Sequence, residues 1–257
     1  MEDRQSRERR AHDEDGVTDK NNSYYRRFSH VTLCPNSARG DALFNGFVKE
    51  SATGGRVLDL CCGTGLKTRQ LLELGPKYVL GIDLSEAHIA TAKLSEQPGS
   101  LEFVLGDVSE PLEGQFDLIV GRGALHHIDF RPILINLSLN NLSPGGMLLF
   151  EEPLGENLIT RAFHRFVPSA HTPDERPLRK SDIEWFLTTF PESSFHAFNY
   201  LSYPIGLFTS LFMKSPNNRL LRCADWIDLR LEHLNRIRYR FRLGILVATV
   251  PSREFVA

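Results

Sequence analysis

The stretch Val57-Leu58-Asp59-Leu60-Cys61-Cys62-Gly63-Thr64-Gly65 is answered, 20 residues after Gly63, by Asp83 at the end of a second apolar run, Val79-Leu80-Gly81-Ile82. A short apolar strand that enters a glycine-rich turn and then a helix is how an open α/β sheet presents a nucleotide-like ligand to the carboxyl ends of its strands. Glycine lacks Cβ, so Gly63 and Gly65 let backbone come close to a ligand and adopt φ values that other residues resist. A carboxylate closing the second strand can accept two hydrogen bonds from a ribose diol. Together the two features imply an adenosine ligand.

Working outward, the same rhythm continues. Strands are expected over 57–60, 79–82, 101–104, 116–120 and 147–150, with helices over 66–74, from Ser85 to about Leu94, and over 131–141. Ser85 is an N-cap residue, and Ser143-Pro144-Gly145-Gly146 reads as a turn before the fifth strand. Short apolar strands alternating with helical segments argue for a parallel, doubly wound sheet. Beyond Pro153 the rhythm changes. Ser181 and Glu184 suggest a capping box, 193–201 a sixth strand, and Ser215-Pro216 the start of a long helix with the stripe Leu220, Ala224, Ile227, Leu231 and Leu234. Residues 238–250 read as a final strand, and the alternating run Arg236-Ile237-Arg238-Tyr239-Arg240-Phe241-Arg242-Leu243, if extended, would place its arginines on one face.

The first 22 residues are polar and charged without apolar periodicity, the pattern of a disordered tail. Residues 23–257 then form one domain, with an aromatic-rich N-terminal helical segment at 23–53 and an insertion at about 202–234 that would cap the carboxyl edge of the sheet. Tyr200, Tyr203, Phe208, Phe212, Met213 and Trp226 would line an apolar pocket there. The run from Pro204 to Lys214 has a second reading, contact with a membrane or a lipid-like substrate.

With 41% hydrophobic residues and a net charge of −2, the composition fits an ordinary globular domain and gives no footprint for nucleic acid. No apolar run reaches the roughly 20 residues of a membrane-spanning helix. The N-terminus lacks the apolar core of a signal peptide. Four cysteines, two of them adjacent, form neither a disulfide framework nor a C-x-x-C metal pair, so a reducing cytoplasm and no metal are expected.

Three readings of the glycine turn compete. A dinucleotide fingerprint wants glycine or alanine where Thr68 stands, and a P-loop wants a spacing to Gly-Lys-Ser/Thr that is not present. The wider series decides. The stretch 57–65 resembles the first motif of class I S-adenosylmethionine-dependent methyltransferases, with Cys61 where that family often has glycine. Gly81-Ile82-Asp83-Leu84-Ser85 resembles the second motif, Gly106-Asp107-Val108 the third, Phe116-Asp117-Leu118-Ile119-Val120 with Ala124-Leu125-His126-His127 the fourth, and Leu142-Ser143-Pro144-Gly145-Gly146 the turn before the fifth strand. The series covers roughly residues 24–153 and the last strand.

The resemblance implies a Rossmann-like, mostly parallel seven-stranded sheet with an antiparallel last strand. It implies S-adenosylmethionine as cofactor and S-adenosylhomocysteine as product. The loop Asp59, Leu60, Cys61, Gly63 and Gly65 would cradle the methionine part, with Asp59 near its amino group. Asp83 would take the ribose hydroxyls, Leu84 the adenine face, Asp107 and Val108 its edge, and Gly121 would lie beside the methionine. His126, His127 and Glu152, at the ends of the fourth and fifth strands, are the candidate catalytic groups. Alternation along the strand turns Glu151 away from the face that Glu152 occupies. His164 and His171 could line a lid.

No Asn/Asp-Pro-Pro-aromatic sequence follows the fourth strand, which argues against a DNA amino-methylating enzyme, and the glutamate pair of protein arginine methyltransferases is not recognisable. A small-molecule acceptor, most simply a hydroxyl, remains. Carbon or nitrogen acceptors, a lipid-like substrate, a cofactor-binding regulator that transfers nothing and an RNA modifier using the arginine segment are the alternatives.

Overall fold

The computed structural model describes residues 26–166, 175–190 and 192–251, without the side chains of Phe163, His164 and Phe166. The expected tail, Tyr24, Tyr25 and His171 lie outside the described residues, as does the His164 side chain. Two N-terminal helices, α1 (His30–Leu33) and α2 (Pro35–Ala52), lead into the alternating β/α unit. It comprises β1 (Arg56–Leu60), α3 (Leu66–Leu72), β2 (Tyr78–Asp83), α4 (Glu86–Lys93), β3 (Leu101–Leu105), β4 (Phe116–Arg122), α5 (Phe130–Asn140) and β5 (Leu142–Pro153). Then come α6 (Leu158–Phe166), α7 (Lys180–Thr189), β6 (Glu192–Phe198), α8 (Ser202–Phe212), α9 (Arg219–Leu231) and β7 (Leu243–Val250).

The seven strands pair in the order β3-β2-β1-β4-β5-β7-β6. The pairs among the first five are parallel, while β7 runs antiparallel to both β5 and β6. The doubly wound, seven-stranded sheet with an antiparallel last strand is therefore observed. Strand order reverses outward from β1 and β4, the switch point where open α/β sheets bind ligands.

The central strands are apolar on both faces because helices cover both. Leu58, Leu60, Ile119, Leu148 and Phe150 enter one core with residues of α5 and α7. Val57, Leu118, Val120 and Leu149 enter the other with Phe44, Val48 and Ala52 of α2. Ser85 caps α4, its hydroxyl accepting from His88 N–H at 3.2 Å.

Several expectations are corrected. The segment Ser143-Pro144-Gly145-Gly146 is a bulge inside β5, not a turn before it. The register with β4 jumps from Phe116↔Leu142 to Leu118↔Met147, and Gly145 absorbs the excess chain at φ 77°. The α7 cap falls earlier than Ser181 and Glu184: the helix starts at Lys180, and Asp182 accepts from Arg179 N–H at 2.9 Å. The long helix begins at Arg219, not at Ser215-Pro216, because the Asn218 side chain caps it by accepting from Leu221 N–H at 3.0 Å. Its buried face is Leu221, Ala224 and Asp228, so Leu220 and Leu234 stay about half exposed.

The arginine-rich segment is no strand either. β5 and β6 both end opposite Leu243, their last backbone bonds reach only Arg242, and Arg238–Arg240 forms a 3-10 turn. Its arginines diverge. Arg238 stacks on Phe195 and donates to its carbonyl, while Arg242 is buried over Tyr203. The aromatic pocket is not assembled: Tyr203 is buried, whereas Phe208, Phe212, Met213 and Trp226 face outward.

Because β6 runs parallel to β1–β5, the chain leaves it at the carboxyl edge of the sheet, and α8 starts from that edge. A buried carboxylate fixes the departure. Asp228 accepts from the N–H groups of Tyr200, Leu201 and Ser202 at 3.1, 2.8 and 3.1 Å and from the Ser202 hydroxyl at 2.6 Å. Removing it would orphan three N–H groups at the start of α8. Asp228→Ala is expected to lower stability by about 2–4 kcal/mol, read as a fall in the urea midpoint at unchanged slope.

Candidate cofactor and acceptor site

Along the carboxyl edge, the loop between β1 and α3 turns tightly. Cys61 has φ 52°, Gly63 54° and Gly65 76°, all in the left-handed region. A Cβ on Gly65 would lie 2.6 Å from the Phe103 ring, and one on Gly81 would meet Phe103 at 2.7 Å and Cys62 Sγ at 2.9 Å, so the loop lies directly on β2 and β3. A Cβ on Gly63 would meet nothing within 4 Å. The open side of the loop is at Gly63, where a ligand can approach backbone.

Asp83, at the end of β2, holds this loop from the other side. Gly63 N–H donates to Oδ2 at 2.8 Å, Ser85 N–H donates to Oδ1 at 2.9 Å, and His88 Nδ1 lies 3.6 Å from Oδ1. Burial pushes the Asp83 carboxyl up, but the bonds from His88, Ser85 and Gly63 outweigh it and hold it below the ordinary value. Oδ1 takes both the Ser85 N–H and His88, while Oδ2 carries only the Gly63 N–H and keeps a lone pair for a further donor.

Asp59, in β1, is buried and accepts from the Thr68 hydroxyl at 2.7 Å. Burial raises it to about 7, against the opposing Thr68 bond and the Lys67 charge. Leu60 is buried beneath the loop and Leu84 is half exposed beside Asp83. Asp107 accepts from the Ser109 N–H and hydroxyl at 2.8 and 2.7 Å, a turn that fixes one oxygen, and Val108 is buried.

The fourth and fifth strands carry the second half of the site. Gly121 allows the chain to fold back on itself, since a Cβ there would be 2.7 Å from Ala124 Cβ. Glu152 is wholly buried, and its Oε1 accepts from Ala124 N–H and Leu125 N–H at 2.8 Å each. Its Oε2 lies 2.7 Å from His126 Nδ1. Glu151 points away, as alternation requires, and pairs with Arg122 at 2.7 Å; Asp41 of α2 also meets Arg122. The His126 and His127 rings lie 4.0 Å apart.

Sequence reasoning missed Glu175, whose Oε1 lies 3.6 Å from His126 Nε2. It comes from a segment with no periodicity and reaches the site through chain pairing: Arg176 N–H donates to the His126 carbonyl at 3.0 Å, and Leu178 pairs with Leu154. Donor atoms of His126, His127 and Glu175 all lie within 4.8 Å of one another, a set able to pass a proton or to hold a cation. A cleft of about 250 Å³ opens beside them, lined by His126, Asp129, Arg131 and Arg176 among others.

A doubly wound sheet with a glycine cradle, a strand-end acid and a histidine–glutamate pair at the switch point defines a nucleotide-binding transferase architecture. Residues 30–188, more than half of the chain, match the family described as methyltransferase domain, and the chain belongs to that family. Among curated relatives, the trans-aconitate 2-methyltransferase of Deinococcus radiodurans is 38% identical over 113 residues, 44% of this chain and 42% of that protein. The ubiquinone biosynthesis O-methyltransferase of Nitrosococcus oceani is 34% identical over 105 residues, 39% and 44% of the two chains. These matches thus span less than half the length of either relative. The solved phosphoethanolamine N-methyltransferase 2 of Haemonchus contortus, in complex with phosphomonomethylethanolamine and S-adenosylhomocysteine, superposes with a TM-score of 0.62 at 18% identity. That match covers 95% of this chain and 60% of the other and shows the shared fold.

The Asp59 carboxyl gives a pH signature. Its folded value, about 7, lies above its ordinary 3.8, so the folded chain holds the proton more tightly than the unfolded chain. The stability this contributes is complete below the unfolded value and is lost as pH rises through about 7. Asp59→Asn, which keeps an acceptor for Thr68, is expected to be more stable than the parent at pH 8 by roughly 1–4 kcal/mol, with the difference vanishing near pH 4 in urea titrations.

Proposed function

We propose that this chain transfers a methyl group from S-adenosylmethionine to a hydroxyl of a small molecule. The observation that carries the reading is the cradle. An ionised Asp83 with a lone pair to spare on Oδ2 faces a loop on whose open side a Cβ at Gly63 would meet nothing within 4 Å. These residues fit the cofactor. Asp83 would accept from the ribose hydroxyls, and the buried Asp59 would take the methionine ammonium. Leu60, Cys61, Gly63 and Gly65 would line the methionine chain, with Gly121 beside it. Leu84 would pack on the adenine, and Asp107 and Val108 would meet its edge. S-adenosylmethionine supplies an electrophilic methyl carbon, and S-adenosylhomocysteine is the product.

The chain's own task is to place the acceptor in line and to take its proton, and positioning alone can supply about 7–11 kcal/mol of barrier reduction. Glu152 accepts from two backbone N–H groups and from His126 Nδ1, so Nε2 of a neutral His126 carries the lone pair. His126 is then the base that removes the hydroxyl proton at Nε2. Glu152 is a positioning residue, without an exposed atom to offer a substrate. Glu175 lies beside Nε2 and would accept the proton onward. His127 would shape the acceptor's surroundings. The N-terminal helices and residues 202–234 would cap the carboxyl edge, with residues 23–257 acting as one domain. The relatives' names, acting on a carboxylic acid or a quinone precursor, support a small-molecule acceptor.

Calorimetric titration with S-adenosylhomocysteine is expected to show saturable one-to-one binding, abolished or much weakened in Asp83→Ala. Absence of binding to the folded parent overturns the cofactor assignment. Tight binding without transfer of labelled methyl to any extract component would instead mark a regulatory protein. His126→Ala is expected to lower kcat by about 10²–10⁴-fold with the product's affinity unchanged. Glu152→Gln should follow it, because its amide would donate to Nδ1 and force the proton onto Nε2. Turnover is expected to be unchanged in EDTA; its loss would give the His126, His127 and Glu175 donors to a divalent cation instead.

A further inference from the structure

Of the two helices between β6 and β7, the first is assembled with its faces reversed. α8 turns small and polar residues inward: Ser202, Tyr203, Gly206 and Thr209 are buried. The Thr209 hydroxyl meets His30 Nδ1 at 3.0 Å, and Gly206 lies against Val31, where a Cβ would be 3.2 Å from that residue's Cα. Its outward face carries Phe208, Leu211 and Phe212, which are 56%, 51% and 72% exposed. They stand at i, i+3 and i+4, so they form one strip, and the Phe208 and Phe212 rings touch at 5.0 Å. Single exposed leucines need no explanation, but a continuous aromatic strip on a helix that has buried its polar side does.

α9, which packs on α8, contributes charge. Arg219, Arg222, Trp226 and Arg230 stand at i, i+3, i+7 and i+11, one helical face, and all are exposed. The Arg230 guanidinium lies 3.4 Å from the centre of the Trp226 ring. Between residues 208 and 230 the exposed side chains include four cations, Lys214 with these three arginines, and no carboxylate. Asp225 is turned inward against Asn36 and Arg39, and Asp228 is buried.

We propose that the outward faces of α8 and α9 dock on an anionic phospholipid surface. Aromatic and aliphatic groups enter the headgroup boundary while neighbouring arginines and lysine meet lipid phosphates, the arrangement of a helix lying in an interface. No helix among the described residues is long and apolar enough to cross a membrane, so the contact is peripheral. A second copy of the chain is disfavoured by charge, since apposing two such faces sets four cations against four. The inference is independent of the methyl acceptor and of the cofactor.

The full chain would be sedimented with vesicles of phosphatidylcholine, with and without phosphatidylglycerol, while tryptophan emission, to which Trp185 and Trp226 both contribute, is followed. Binding only to the anionic vesicles, released by high salt and accompanied by a blue shift, is expected. Phe208→Ser with Phe212→Ser, and separately Arg222→Glu with Arg230→Glu, should each weaken it at least about tenfold, with unchanged melting and S-adenosylhomocysteine binding. Failure of the parent chain to bind or to shift its emission overturns the proposal. So does equal binding to neutral vesicles, or a concentration-dependent dimer that the Phe208/Phe212 variant abolishes in the absence of vesicle binding. Should either double variant unfold, the salt dependence and blue shift of the parent chain decide alone.

Discussion

The site depends on one desolvated carboxylate. Glu152 has no contact with solvent, and a charge in that position is tolerable only when its lone pairs are filled. Two backbone N–H groups and an imidazole fill them, and all three come from the turn after β4. The bonding satisfies both sides, because Ala124 and Leu125 open a 3-10 turn whose N–H groups have no intrahelical partner. The turn can reach Glu152 only by folding back over its own strand, and Gly121 permits this because any Cβ would collide with Ala124. Gly121 and Glu152 are therefore two parts of one constraint, and the orientation of His126 follows from it.

A second polar assembly places the segments around the site. Asn199, at the end of β6, has φ 67°, a conformation that asparagine tolerates better than most residues. Its N–H donates to Asn36 of α2 at 2.7 Å, and its side chain reaches Ser37 and Ser202 at 3.1 and 3.2 Å. Asp228 gathers the next three residues, while Arg39 joins α2 to α9 through Asp225 at 3.3 Å and Glu232 at 3.6 Å. Directional bonds fix where these helices sit without requiring apolar faces between them. That is why α8 can bury serine, threonine and glycine and leave its phenylalanines outside.

The contrast explains what was legible in the sequence. Strands β1, β2, β4 and β5 announced themselves because they feed cores on both faces of the sheet, and the edge strand β3 because one of its faces does; their apolar runs are bounded by glycine and acid. The cradle residues sit at the ends of those runs, at fixed distance from them, and were readable for that reason. Residues 202–242 obey no such period. Hydrophobicity predicted Phe208, Phe212 and Trp226 inside, but a hydrogen-bond network set the helix rotation. The arginines of 236–242 alternate in sequence, yet pairing partners end at Leu243 and the backbone turns. Glu175 escaped because its position follows from Arg176 and Leu178 pairing with distant segments, and no local pattern records that.

The cradle itself departs from the most relaxed arrangement at two adjoining places. Cys61 occupies the left-handed region, which costs an L-residue about 1–2 kcal/mol. One turn of the chain away, Asp59 is held in a pocket dry enough to raise it to about 7. Neither feature helps the fold: glycine would relax the first, and an amide would remove the second. On the proposed reading, both suit a loop that curls around a cationic cofactor. A positive charge brought beside Asp59 lowers its proton affinity, so ligand association and proton release are coupled, and the desolvation already imposed by the fold strengthens the attraction. Strain in Cys61 keeps the backbone N–H of Gly63 turned toward Asp83, so the loop is shaped before the ligand arrives. On that reading, the stability withheld from the loop is returned as preorganisation when the cofactor binds.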